Sequence, residues 1–142
     1  MELDKIQATI KSGQERLRYN DKALEFSLLD FWCWSVSDLL SNATRGRFAE
    51  FIVATATNID KTVIRDEWSA YDIETPDGIK LEIKSAAYLQ SWFQSSLSRI
   101  SFSIKPAHHW ESFTNKLSPE KKRHADVYVF CLLHHENKQT VD

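Results

Sequence analysis

Leu3, Ile6, Ile10 and Leu17 recur at helix-compatible spacings in an otherwise polar opening stretch. That pattern predicts a modest amphipathic helix interrupted at Gly13, so residues 1–27 are read as an N-terminal helical arm and residues 28–142 as the main domain. Asp30 suits a helix start. Phe31, Trp32, Trp34, Val36, Leu39 and Leu40 give the following segment a broad apolar face, and Ser41-Asn42 reads as a break. A second helix is expected from about Thr44 to Thr57, with Phe48, Phe51, Ile52 and Thr55 along one side. Apart from Arg45 and Arg47 at its start, Glu50 is the charged exception in this helix. A lone carboxylate there is costly to bury without a partner. An ion pair with Arg45 or Arg47 would meet that need, and so would a place in a functional site.

After Asn58 the period changes to two. Val63 to Trp68 reads as a strand or the approach to one. Tyr71–Glu74 and Ile79–Lys84 read as two strands joined by Pro76-Asp77-Gly78, a turn sequence with glycine where positive φ is needed. Arg99–Ile104 alternates again and is predicted as a strand stopped by Pro106, and His109–Leu117 as a short helix. Val127–Leu133 is a continuous apolar run, expected to be a central strand buried on both faces. Helices, a hairpin and a tail of strands together imply a mixed α/β or α+β sandwich.

Composition narrows the picture. The 142 residues suffice for one domain, and 42% hydrophobic with 27% charged residues is ordinary for a globular chain. No apolar run approaches the ~20 residues of a membrane helix, and the N-terminus lacks the features of a secretory signal. No membrane partner is expected, and a cytoplasmic location is. Cys33 and Cys131 sit in apolar stretches without zinc-type spacing, and are read as buried free thiols. A net charge of −2 argues against binding nucleic acid by bulk charge. A local basic groove or bridging metal ions would offset that deficit. Lys121-Lys122-Arg123 is read either as a contact to a phosphate backbone or as a solvated loop. Trp68 and Trp92 are read as core residues before base-stacking ones.

The hairpin carries the candidate chemistry. With a three-residue turn, Thr75 faces Ile79 and Asp72 faces Glu82. Alternation then puts Asp72, Glu82 and Lys84 on one face and Tyr71, Ile73, Leu81 and Ile83 on the other. Carboxylates roughly 5 Å apart across a strand pair repel unless a cation sits between them. Mg²⁺ takes one or two carboxylates plus waters and substrate phosphate, and a lysine beside it can neutralise a phosphate or orient water. An ordinary hairpin with its charged face in water is the competing reading. The acid-x-Lys element also occurs at Glu120-x-Lys122 and Glu136-x-Lys138, in polar contexts with no opposed aspartate.

Asp72, followed across a hairpin by Glu82-Ile83-Lys84, resembles the PD-(D/E)xK nuclease superfamily, the restriction-endonuclease-like fold. The stretches Arg45–Phe51, Arg65–Asp72, Glu82–Trp92 and Ala125–Phe130 are similar to a family of small bacterial and phage proteins of that type. The resemblance implies a central mixed β-sheet flanked by helices and a Mg²⁺-dependent nuclease cleaving DNA, with Mn²⁺ as a substitute. It implies Asp72 and Glu82 as metal ligands with the Ile83 carbonyl as a third, and Lys84 as the group that positions or polarises water. Glu50 would complete the site through a water on the metal. Gln90 and Ser85 would face substrate. A homodimer is a further expectation, because related nucleases pair to cut two strands. The chain ends soon after Val127–Leu133, where another strand is expected to pair, and is read as truncated there. The alternative is a non-catalytic module of the same fold that binds DNA or a protein partner.

Overall fold

The structure, a computed structural model, describes residues 6–111 and 114–141. Its centre is a three-stranded mixed sheet in the order β3-β4-β7, formed by β3 (Ile73–Glu74), β4 (Lys80–Ala87) and β7 (Val127–Leu133). β3 and β4 pair antiparallel with Ile73 opposite Leu81 and Glu74 opposite Lys80. This is the register expected from the turn. Gly78 sits at φ +80°, its N–H bonds the Thr75 carbonyl at 2.8 Å, and the Thr75 N–H bonds the Ile79 carbonyl at 2.9 Å. β4 and β7 run parallel, from Leu81 opposite Val127 to Ala87 opposite Leu133. Asp126 clamps the start of that pairing, donating its N–H to the Lys80 carbonyl at 2.8 Å and accepting the Lys80 N–H at 2.9 Å.

Helix α2 (Asn42–Ala56) lies against one face of β4. Ser41 caps its start, accepting the Thr44 N–H. Asn58, at φ +55°, follows its end in the left-handed conformation that commonly stops a helix. Ala49 and Val53 of α2 meet Leu81 and Ile83 of β4 in the core, with Ile73, Val129 and Cys131 packed around them. Burying these side chains contributes roughly 1.5–3 kcal/mol for each large one. The result is a mixed α/β fold with a central mixed sheet flanked by helices.

From Ile6 onward the N-terminal arm departs from the expected helix, Leu3 lying outside the described residues. Residues 16–27 form a hairpin, β1 (Arg16–Tyr19) with β2 (Lys22–Ser27). Asn20 and Asp21 both have positive φ, 47° and 60°, which is the turn that matches strand twist. Gly13, at φ +91°, lies where an added Cβ would come within 2.9 Å of the Trp32 ring. Its carbonyl accepts the Leu29 N–H at 2.8 Å, and the Glu15 carbonyl accepts that of Leu28 at 2.9 Å. The segment therefore caps α1 (Leu28–Val36) instead of continuing as a helix. Asp30 is not the cap itself. Ser27 is, in a capping box with Asp30 at the third helical position.

Other expectations shift as well. Val63–Trp68 and Arg99–Ile104 carry no strand. The second of these lies on the sheet through Phe102, stacked on Phe130 at 4.6 Å, and not along a sheet edge. The predicted helix over His109–Leu117 is replaced by β5 (Trp110–Glu111) paired with β6 (Lys116–Leu117); residues 112–113 within it lie outside the described residues. β7 is not buried on both faces. It pairs with β4 alone among the described residues, and Phe130 is 50% exposed. Cys33 is exposed and Cys131 half-buried, both as free thiols. Trp68 and Trp92 are exposed and not in the core. Among the described residues no helix is long and apolar enough to cross a membrane.

Candidate metal centre and groove

β4 alternates sharply. Leu81 and Ile83 are buried toward α2, whereas Glu82 and Lys84 are half-buried on the opposite face. Continuing the β3–β4 register by one residue sets Asp72 opposite Glu82, and the Asp72 N–H bonds the Leu81 carbonyl at 3.0 Å. The Asp72 side chain turns back onto the ladder, where Oδ2 accepts the Ile83 N–H at 2.6 Å. Its other oxygen has no hydrogen-bond partner among the described residues. Within a strand the N–H and C=O of one residue leave on the same side, so the Ile83 carbonyl leaves β4 on the edge where Asp72 lies.

Glu82 is ion-paired with Lys84. Glu50, on α2, is ion-paired with Arg65 along one guanidinium edge, Nε donating to Oε2 and Nη2 to Oε1, the latter at 3.1 Å. This corrects the expectation of Arg45 or Arg47 as its partner. Arg47 instead reaches Glu67 at 3.6 Å, and Arg45 turns inward. The Glu50 carboxylate beside Arg65 holds that guanidinium above its usual pKa, with Asp72 and Glu67 contributing at longer range.

Three carboxylates, Asp72, Glu82 and Glu50, thus face two cations, Lys84 and Arg65. Asp72 bears the imbalance. Burial first, then repulsion from Glu82 and Glu50, raises its pKa to about 6, against the opposing pull of the Ile83 N–H and Lys84. A carboxyl held in that state lacks first the water and then the counter-charge that would favour its ionised form. Among the described residues no three Asp, Glu, His or Cys side chains are arranged to hold a metal ion. The donor set nonetheless fits a hard divalent cation of the Mg²⁺ type, which needs only one or two carboxylates and completes its shell with water and phosphate. Asp72 and Glu82 could supply the carboxylates, and the Ile83 carbonyl a third oxygen on the same edge.

Glu82 and Lys84 open into a cavity of about 340 Å³, whose lining includes Ser85, Ser103, Lys105, Lys122, His124 and Tyr128. Ser85 lines this cavity and accepts the Arg45 Nε–H at 3.3 Å. Gln90 does not line it. It is 7% exposed and internally satisfied, with Oε1 accepting from Arg45 Nη1 at 3.3 Å and Nε2 donating to the Ala87 carbonyl at 3.1 Å and to Ser98 at 3.2 Å. Arg45 is buried in the same network, donating also to the Leu40 carbonyl at 2.8 Å and to Asn42 at 2.7 Å. Of the residues expected at the site, the structure brings Asp72, Glu82, Lys84 and Glu50 together, sets Ser85 at the rim and withdraws Gln90 into the interior. Arg65, Lys105 and His124 were not expected at the site. They arrive on irregular chain, where no periodic pattern marks them.

A family model described as bacteriophage T4 endonuclease IV matches residues 3–142. No curated protein and no solved structure matches the chain significantly.

Proposed function

We propose, because the chain belongs to the bacteriophage T4 endonuclease IV family, a PD-(D/E)xK-related endonuclease family, that it is a Mg²⁺-dependent nuclease hydrolysing phosphodiester bonds of DNA, with Mn²⁺ able to substitute. The observation that carries this reading is the β3–β4 register, which leaves Asp72, Glu82 and Lys84 on one face with Glu82 and Lys84 lining an open cavity. When bound, the cation supplies positive charge against the charge developing on the phosphate and acidifies a water. Asp72 and Glu82 would hold it, with the Ile83 carbonyl. The Lys84 ammonium, tied to Glu82 in this state, would orient the attacking water and stabilise the phosphate oxygens as charge builds on them. Glu50 adds a carboxylate beside Asp72, and Arg65 fixes its direction. Ser85 offers its hydroxyl to substrate at the rim. Gln90 acts at one remove, holding the guanidinium that also contacts Ser85.

A second reading, a non-catalytic module binding DNA or a protein, is favoured by one observation: Glu82 and Glu50 each already have a cation from this chain. One experiment separates the two. Thermal melting with millimolar Mg²⁺ or Mn²⁺ is run beside a DNA cleavage assay, on the wild type, Asp72→Asn and Lys84→Ala. The nuclease reading expects cleavage by the wild type to fall by about 10³-fold or more in both variants, with the fold retained. It also expects a metal-dependent rise in Tm that Asp72→Asn lacks. Full cleavage by either variant would refute the site, and a wild type that neither cleaves DNA nor responds to metal would favour the module.

A further inference from the structure

We propose that Lys105 and Lys122 form a phosphate-binding wall that grips the DNA backbone beside the Asp72–Glu82 centre. The inference rests on the nuclease reading and deepens it, because it says which groups hold the strand next to the scissile phosphate.

The geometry starts from a single bridge. Ala107 and Lys122 exchange both backbone hydrogen bonds, at 3.1 and 3.2 Å, in an antiparallel pair. Residues opposite one another in such a pair share a face, as do residues two positions along. Lys105, two before Ala107, and His124, two after Lys122, therefore belong to the same face as Lys122. All three line the cavity that Glu82 and Lys84 open into. The same alternation turns Lys121 and Arg123 away, and Arg123 donates instead to the Ile104 carbonyl at 2.9 Å. Of the three consecutive basic residues, Lys122 alone lines the cavity.

The state of these cations fits a ligand of opposite charge. Lys105 and Lys122 are exposed, and neither makes an ion pair or side-chain hydrogen bond among the described residues. Glu82, the acidic residue lining the cavity, is already paired with Lys84. His124 serves the frame. Its Nε2 lies 3.1 Å from the Ala107 carbonyl and its ring 5.4 Å from that of His109, so the ribbon presenting both lysines is tied at several points. In a chain of net charge −2 this is a local concentration of positive charge. It shares a space of about 340 Å³ with Glu82 and Lys84. Ammonium groups bind phosphate as point charges without demanding a base sequence, so the wall holds the backbone and leaves the base edges unread.

The test measures DNA affinity without turnover. Fluorescence anisotropy in EDTA follows a labelled DNA oligonucleotide, single-stranded and as a duplex, across a salt titration. The full chain is compared with Lys105→Ala/Lys122→Ala, Lys105→Arg/Lys122→Arg and the control Lys121→Ala/Arg123→Ala. The groove variant should bind roughly tenfold more weakly and lose about 0.7–0.9 per lysine from the slope of log affinity against log salt. In Mg²⁺ its deficit should fall on KM, and the arginine variant should restore binding. The control, equal in charge removed, should keep the wild-type slope. Equal losses in groove and control variants would overturn the wall, reducing it to bulk charge. An unchanged slope in the groove variant of a wild type that binds and cleaves DNA would overturn the wall alone. A wild type that neither binds nor cleaves DNA would overturn the nuclease reading, and the wall with it.

Discussion

The two faces of β4 are built from neighbouring residues and obey different physics. Toward α2, Leu81 and Ile83 are 5% and 7% exposed in a small apolar core. Away from it, Glu82 and Lys84 keep 23% and 36% of their side chains accessible and face Asp72 across the hairpin. The first face is covered by a regular helix, the second by irregular chain resting on Phe130 through Phe102. One strand thus divides its work by parity. Odd positions hold the fold together, and even positions carry charge, Glu82 being set against the like charge of Asp72 at a cost to the fold. Stability and activity should therefore separate cleanly between residues one position apart.

The largest effect on stability belongs to the apolar face. Ile83→Ala removes a buried side chain from a core with few members, and should cost about 2–4 kcal/mol. Urea denaturation measures it. A loss below about 1 kcal/mol would mean that the α2 face collapses around the gap and is less distinct from its opposite than the burial indicates.

Asp72→Asn should move stability the other way. The folded state holds the Asp72 proton up to about pH 6, whereas the ordinary carboxyl releases it near 3.8. Between those values the native state binds more protons than the unfolded chain, so wild-type stability falls as pH rises through the window. Asparagine carries no charge and can still accept the Ile83 N–H. In EDTA the variant should match the wild type near pH 4 and exceed it by about 1–2 kcal/mol above pH 6, once solvent screening of the half-buried group is allowed for. Denaturation curves across that range check it. An advantage that is constant with pH would trace to packing and not to charge.

The hairpin was legible in the sequence because two rigid facts met there. Pro76-Asp77-Gly78 sets a turn length, and strand parity carries that register outward to Asp72, Glu82 and Lys84. Glu50 was legible only as an anomaly on an apolar helix. Its partner Arg65 comes from chain with no period, so no pattern could link them. The N-terminal hairpin was not legible because Ile6, Ile10 and Leu17 mimic a helical stripe, while Asn20-Asp21, both able to adopt positive φ, are the stronger local signal. Arg99–Ile104 alternates as a strand would, but Phe102 stacks on Phe130 and lays the segment over the face of the sheet, so its backbone pairs with no edge among the described residues. The groove was hidden for a related reason: the backbone bridge between Ala107 and Lys122 that aligns its basic wall is a tertiary fact.

The smallest stability effect should come from Glu82, one residue from Ile83. Its ion pair with Lys84 is partly solvated on both sides, and such pairs contribute roughly 0–1 kcal/mol. Glu82 also repels Asp72, so losing its charge relieves part of what the pair supplies. Glu82→Gln should therefore change unfolding free energy by no more than about 0.5 kcal/mol while removing cleavage. Combined with Asp72→Asn, it should give less than the sum of the two separate changes, because the charges act on one another. A loss of 2 kcal/mol or more on Glu82→Gln, an order-of-magnitude threshold well above exposed pairs, would make the Glu82–Lys84 pair a structural brace. The charged face would then share the work of the apolar one, and the non-catalytic reading would gain the advantage.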